Sequence, residues 1–215
     1  PELPVEFNQA DEAPPELPIE ITSDIPEPEP PKKKRGLLVA AIIEFLAICG
    51  IVALVRVGTR SPQKQYEEGM AYFKGNGVAK DEVKAFEILL SAAKSENTGA
   101  QAQVGWMYAN GQGVTKDAGE ALKWYRKSAE QGNAVAQRLL GWMYMSGQGV
   151  AKDPSEAVKW YRKSAEQSDA TGQSVLGDAY RDGEGVAKDT SEAVKWYRKS
   201  AEQGNPYGQR QLGWM

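Results

Sequence analysis

A repeat of 36 residues in the C-terminal two-thirds of the chain most constrains its fold. Each of the first four units holds a glycine, a tyrosine three residues later, a Gly-x-Gly-Val turn and a Lys-Asp pair, and a fifth unit begins with the same glycine. A period of this length indicates stacked supersecondary units, each of which buries its apolar face against its neighbours. The recurring structural positions are Gly69, Gly105, Gly141, Gly177 and Gly213, with Tyr72, Tyr108, Tyr144 and Tyr180.

The first half of each unit predicts an inner helix, which in the second unit runs roughly from Ala100 to Asn110. Gly105 and Tyr108 lie on its inner stripe together with other residues at helical spacing. Because Gly105 has no Cβ, a second helix can approach closely at this point. Gly111 stands where a helix ends in the left-handed conformation, and Gly113 is expected to adopt the same conformation.

The second half of each unit predicts an outer helix that begins after an aspartate cap. In the third unit Asp153 is the cap, Pro154 is the first helical residue and Glu156 stands where a capping box places it. A Trp-Tyr pair follows on the inward face. The equivalent positions are Asp117, Asp153 and Asp189 for the caps, and Trp124, Trp160 and Trp196 for the tryptophans.

The paired glycines of the turns could instead indicate a loop that wraps a phosphate. A phosphate loop follows a strand and has the pattern GxxxxGK followed by Ser or Thr. Here a predicted helix precedes each turn, and a valine follows the second glycine. The glycines are therefore interpreted as the hinge of a helical hairpin, and no cofactor is predicted.

These motifs resemble the Sel-one-like repeat family, the longer relatives of tetratricopeptide repeats. The resemblance is carried by Leu140-Gly141, Tyr144, Gly147-x-Gly149-Val150, Asp153 and Trp160-Tyr161, and by the equivalent residues of the other units. It implies an all-α fold, an α-solenoid of antiparallel helix pairs that mediates protein–protein contacts. It also implies occurrence in bacterial envelope and signalling proteins or in eukaryotic adaptors. The cysteines of the disulfide-bonded relatives are missing from every repeat.

Residues 66–215 are predicted to form about four and a half repeats. The first has Ile88-Leu89 in place of Trp-Tyr and is expected to be an N-terminal cap. The fifth stops at Met215, before its second helix, and the chain begins at Pro1 rather than at methionine. The sequence is therefore expected to be a fragment of a longer protein.

The N-terminal third has a different organisation. Residues 1–31 contain nine prolines and nine acidic residues, which predicts a disordered linker over 1–35 that ends in a basic cluster. A docking strip for a partner is the alternative. Residues 36–55 are apolar except for Glu44 and are long enough for a transmembrane helix, and residues 56–65 are read as a juxtamembrane linker.

The basic cluster at residues 32–35 sets the expected orientation of this span. Four cations precede the span and three follow it within ten residues, which favours an N-terminus inside and repeats outside. We therefore expect a single-pass protein of the bacterial inner membrane with its repeats in the periplasm.

A partner-binding groove is expected beside the inner stripe of the inner helices. Trp, Met and Arg are residue types that binding hot spots favour. The alternatives are that the tryptophans only seal neighbouring repeats and that the arginines are ordinary solvated charges. The candidates are Trp106, Trp142, Trp214, Met145, Arg138, Arg181 and Asp178.

The composition of the chain argues against several classes of function. The chain has no histidine and one cysteine, which argues against a disulfide framework, a zinc or other metal site, and a catalytic triad. Residues 65–215 carry 19 acidic and 19 basic side chains, which argues against nucleic acid. We expect a non-enzymatic scaffold that binds a protein or peptide near a membrane. The alternatives are the regulatory arm of a larger enzyme or sensor, and an envelope protein that binds peptidoglycan or a small ligand.

Overall fold

A computed structural model of the chain describes residues 60–215, in which every regular element is a helix. None of the helices in this range is long and apolar enough to cross a membrane. The linker predicted over 1–35 and the span predicted over 36–55 lie outside the described residues. The helices are α1 (Pro62–Lys74), α2 (Glu82–Lys94), α3 (Thr98–Asn110), α4 (Ala118–Glu130), α5 (Ala134–Ser146), α6 (Pro154–Glu166), α7 (Ala170–Asp182), α8 (Thr190–Glu202) and α9 (Pro206–Trp214).

Consecutive helices pack as hairpins, α1 with α2, α3 with α4, α5 with α6 and α7 with α8, and α9 begins a fifth unit. Each outer helix also packs against the inner helix that follows it. The expected all-α solenoid of antiparallel helix pairs is thereby confirmed. Because the contacts join neighbouring units, the apolar core runs as a series of clusters along the stack.

Side-chain caps and left-handed glycines set the helix ends. The Asp117 carboxylate accepts a hydrogen bond from the backbone N–H of Glu120 at 3.0 Å and begins α4. Asn133 caps α5 in the same way through Ala136 at 2.9 Å. At the end of α3, Gly111 has φ +72° and donates its N–H to the Met107 carbonyl. These ends satisfy backbone groups that a helix otherwise leaves unpaired.

Only one of the two hydrogen bonds of the capping box expected at α6 forms. Asp153 accepts a hydrogen bond from the backbone N–H of Glu156 at 3.0 Å, as predicted. The return bond from the Glu156 side chain does not form, because the Asp153 N–H donates to the Tyr144 carbonyl at 2.8 Å. The Glu156 carboxylate instead pairs with Lys159 at 2.8 Å. The end of the preceding inner helix therefore holds the N-terminus of the outer one.

In the second, third and fourth repeats the glycine of the inner helix lies against the tyrosine ring of the outer helix, whereas Gly69 of the first repeat lies against Leu89. A Cβ added at Gly141 would lie 2.6 Å from Cδ1 of Tyr161, and one at Gly105 would lie 2.7 Å from Cδ1 of Tyr125. Real Cβ atoms do not approach that closely. The recurring glycine is therefore what permits the two helices of a hairpin to pack around a buried tyrosine.

Buried glutamines that no sequence motif predicted connect the ends of neighbouring helices by hydrogen bonds. Gln137 is 4% exposed and donates to the Ala129 carbonyl at 3.1 Å, while its own carbonyl accepts from Gln167 at 2.7 Å. Gln101 and Gln173 make the equivalent bonds in the neighbouring repeats. The 36-residue spacing of these glutamines is the signal that would have revealed them.

Candidate functional site

The inner helices form a face that contains three adjoining clefts. The largest, which we call the central cleft, has a volume of about 430 Å³ and lies mainly between α3 and α5. Aromatic and aliphatic side chains provide most of its surface, as in many ligand-binding clefts. It is lined by Trp106, Ala109, Asn110, Lys116, Tyr125, Arg138, Leu139, Trp142, Gln148, Tyr161 and Val175.

A smaller cleft adjoins the central cleft on each side. One, of about 180 Å³, shares Trp106 and Leu139 with it and extends to Tyr66 of α1. The other, of about 160 Å³, shares Tyr161 and Val175 and extends along α7. Because neighbouring clefts share lining residues, they adjoin one another in a row across four repeats. We call the three clefts together the groove.

Most of the predicted partner-binding residues lie in or beside this groove. Trp106, Trp142 and Arg138 line the central cleft, and Met145 and Asp178 line the cleft along α7. Arg181 lies next to that cleft and pairs with Asp178. Trp214 lines none of the three clefts and is 76% exposed on α9. A role for any of them in partner binding stays a prediction.

The two tryptophans of the central cleft differ in how much of each side chain is exposed to solvent. Trp106 packs edge to face against Phe73, with 5.6 Å between the ring centroids, and belongs to two of the core clusters. Trp142 is 44% exposed. Trp106 therefore seals neighbouring repeats as well as lining the cleft, whereas Trp142 presents a large apolar surface to solvent.

Arg138 is held in place from the neighbouring repeat. Its Nε donates to Oδ2 of Asp169 at 2.8 Å, and the two side chains are only 23% and 16% exposed. The same Asp169 oxygen also accepts from the Ser164 hydroxyl at 2.9 Å and from the Gly172 N–H at 3.0 Å. Because Asp169 is itself the N-cap of α7, the position of the guanidinium is set by a helix end.

Asp178 is the centre of an internal network. Its carboxylate accepts from the Tyr197 hydroxyl at 2.7 Å, from the Tyr207 hydroxyl at 2.9 Å and from Nη1 of Arg181 at 3.1 Å. Arg181 also forms two hydrogen bonds with Asp182, and these hold the pKa of the Asp182 carboxyl below its ordinary value. Asp178 thus fastens α7 to α8 and α9 while it lines the groove.

The tryptophans of the outer helices lie away from the groove. The ammonium groups of Lys163 and Lys199 lie 4.0 and 4.2 Å from the ring centroids of Trp160 and Trp196. Both indole N–H groups are buried and lack a hydrogen-bond partner within residues 60–215. Trp124 packs against the preceding core cluster. The two lysine–tryptophan contacts lie within single outer helices, and the rings have a structural role.

Chemistry in the described range is limited. No group of His, Cys, Asp and Glu residues suited to a metal ion occurs in residues 60–215. The carboxylates beside the groove are engaged in ion pairs with Arg138, Arg181 and Lys152. The arrangement is suited to binding by shape, aromatic contact and charge.

Stacked hairpins around an open groove define an α-helical repeat scaffold. The Sel1 repeat family matches residues 65–97, 98–133, 134–169 and 170–205. The chain therefore belongs to the Sel1 repeat family. Repeats of this family generally form non-enzymatic scaffolds and typically bind protein partners.

Solved structures agree with this assignment. The protective antigen c5321 of uropathogenic Escherichia coli, which displays an SLR fold, is 40% identical over 71% of this chain, with a TM-score of 0.66. A Sel1 repeat protein of Oxalobacter formigenes is 36% identical over 70% of this chain, with a TM-score of 0.67. Cysteine rich protein B of Helicobacter pylori is 26% identical over 62% of this chain and covers 96% of that protein, with a TM-score of 0.50.

The matched region spans 33% of c5321 and 60% of the Oxalobacter protein. Comparison with curated protein sequences gives no significant match.

Proposed function

We propose that this protein is a membrane-anchored scaffold that holds a segment of a protein partner in the groove. The observation that carries the proposal is the row of adjoining clefts that forms the groove, with the half-exposed Trp142 in the central one. Exposed aromatic residues in a concave apolar site are the usual anchors of protein recognition. The Sel1 family assignment supports a scaffold role in general terms.

The shape of the groove favours an extended segment as the partner. Its three clefts have volumes of about 430, 180 and 160 Å³ and lie side by side across successive repeats. Volumes of this size accommodate individual side chains rather than a folded surface. The partner is therefore a linear peptide segment that places successive side chains in successive clefts.

Site-specific cross-linking tests the groove. A photo-reactive amino acid at position 142 should form an adduct with the partner in native cells. The same amino acid at Lys159, on the outer helix α6 and 69% exposed, should not. Truncation of a central hot spot costs about 2 kcal/mol or more, so Trp142→Ala should weaken binding about 30-fold. Equal adducts at both positions, or none at position 142, would argue against the groove.

The anchor is proposed to be residues 36–55, with the repeats in the periplasm of a bacterium. The 20 residues carry a single charge, and the basic cluster at residues 32–35 precedes them. A span of this length crosses the apolar core of a bilayer, and basic residues favour its inner side.

Protease accessibility tests this orientation separately from the groove. One tag is placed before Lys32 and another in the turn at Lys188, in cells with a permeabilised outer membrane. Added protease should remove the tag at Lys188 and leave the first tag intact. The opposite pattern would place the repeats in the cytoplasm, and loss of both tags would indicate that residues 36–55 do not span the membrane.

A further inference from the structure

The central cleft has a cationic lining. Lys116 and Arg138 line it, and none of its lining residues is acidic. Asp169 pairs with Nε of Arg138, and the two Nη nitrogens donate no hydrogen bond within residues 60–215. The guanidinium is thus fixed in position by one carboxylate while its terminal donors stay available for a second one.

The repeat structure itself contains a template for that second carboxylate. Asp178 occupies the position 36 residues after Trp142, and Tyr197 occupies the position 36 residues after Tyr161. In that repeat the Tyr197 hydroxyl donates to the Asp178 carboxylate at 2.7 Å. The preceding repeat has Trp142 where the aspartate would be, so its tyrosine has lost this internal partner.

The hydroxyl of Tyr161 is a donor without a partner. It lines the central cleft and makes no hydrogen bond within residues 60–215. Burial raises the pKa of Tyr161, so the hydroxyl keeps its proton at neutral pH. The charge of Arg138 acts on this group, as do the weaker charge effects of Glu184 and Asp178 from the cleft along α7. A carboxylate entering the cleft would therefore meet a guanidinium and a phenol that both lack partners on that side.

We propose that the central cleft recognises the carboxylate of an Asp or Glu side chain within the extended partner segment. Arg138 and Tyr161 donate hydrogen bonds to that carboxylate, and Trp142 packs against an apolar neighbour in the segment. The acid is internal rather than C-terminal, because the groove continues past the central cleft on both sides. This inference rests on the proposed function and specifies the chemistry of its partner.

Selection from a library of random linear peptides tests the inference, with the full 215-residue chain as the target. Peptides whose binding requires Trp142 are retained, and their sequences should be enriched in Asp or Glu. One selected peptide is then synthesised with an amidated C-terminus, together with its Glu→Gln version. Loss of one charge-assisted contact should weaken binding to the native chain about tenfold.

Variants of the chain identify the groups that bind the carboxylate of the peptide. Against Arg138→Leu, the Glu and Gln peptides should bind equally, and against Tyr161→Phe their difference should shrink. Arg198→Leu is the matched control, because it removes an exposed arginine from the outer helix α8 and should retain the tenfold difference. Should Arg138→Leu not fold, as judged by circular dichroism, Tyr161→Phe keeps the ring and carries the test.

The outcomes separate this inference from the proposed function. Peptides that require Trp142 but bind equally with Glu and Gln would overturn the inference and leave the proposed function standing. A Glu preference that persists in both Arg138→Leu and Tyr161→Phe would do the same, as would binding that requires a free C-terminal carboxylate. A selection that yields no peptide dependent on Trp142 would overturn both.

Discussion

At the scale of single residues, the two glycines of each turn inside the stack have different roles. The first, such as Gly147, ends an inner helix with φ +75°. The second, such as Gly149, also has a positive φ, of +70°, and in addition lies against the preceding repeat. A Cβ on Gly149 would lie 2.5 Å from the Ala118 carbonyl oxygen at the start of α4. The second glycine is therefore a contact between repeats as well as a turn residue.

Replacement of the second glycine should cost more inside the stack than at its first turn. Gly149→Ala meets both a left-handed backbone, worth about 1–2 kcal/mol, and a backbone clash, worth about 1–3 kcal/mol more. Gly77→Ala meets only the left-handed backbone, because Gly77 has φ +74° and nothing lies within 4 Å of its added Cβ. Denaturant titration of both variants measures the two losses in unfolding free energy. Equal losses would show that the approach between repeats is not what requires glycine at position 149.

At the scale of helices, the buried glutamines link three consecutive elements. Gln137 at the start of α5 donates to the end of α4 and accepts from Gln167 at the end of α6. A buried hydrogen-bonding group that loses its partner costs more than the bond itself contributes. The ladder of equivalent bonds therefore fixes where the helix ends of neighbouring hairpins meet.

Gln137→Ala should lower the free energy of unfolding by about 1–3 kcal/mol, since it removes a buried side chain together with its two hydrogen bonds, each of which contributes about 0.5–1.5 kcal/mol. Gln209→Ala is the matched control at the equivalent position of α9. That side chain is exposed, makes one 3.4 Å bond to the Ala201 carbonyl, and should change stability by less than about 0.5 kcal/mol. Similar losses in both variants would mean that the buried hydrogen bonds of the ladder do not account for the effect.

The sequence predicted the helices well and the site less completely, for reasons that particular residues illustrate. The caps at Asp117 and Asp153 and the left-handed Gly111 are local patterns of a few residues, and all three are observed. The partners of Asp178 are 19 and 29 residues away, and the Asp169 that holds Arg138 is 31 residues away. Contacts at such distances depend on how the two helices of a hairpin pair and how the hairpins stack, which local periodicity does not encode.

At the scale of the whole molecule, each of three successive repeats buries one equivalent tyrosine. Tyr125, Tyr161 and Tyr197 are 2%, 4% and 0% exposed. Burial is the main cause that raises the pKa of each hydroxyl above its ordinary value near 10. The hydrogen bond to Asp178 acts in the same direction on Tyr197. The folded stack therefore binds these three protons more tightly than the unfolded chain does.

Stability should consequently fall at high pH. Below about pH 10 both states hold the phenolic protons, and the full stability is present. Above that value the unfolded chain releases them first, and each tyrosine can remove up to about 1.4 kcal/mol per pH unit. Denaturant titrations on either side of pH 10 measure this loss, and tyrosinate absorbance should appear together with the loss of helical circular dichroism.

The variant Tyr161→Phe separates the tyrosines from other groups that titrate in this range. Hydrogen bonds to glutamates raise the pKa of the exposed Lys123, Lys159 and Lys195, which also weakens the folded state as these lysines lose their protons. Tyr161→Phe keeps the ring beside Gly141 and the lysines, so it should reduce the steepness of the alkaline loss by about one tyrosine's contribution. An unchanged slope, or tyrosinate formation while the helices remain intact, would mean that the buried rings titrate through local opening of single repeats rather than through unfolding of the stack.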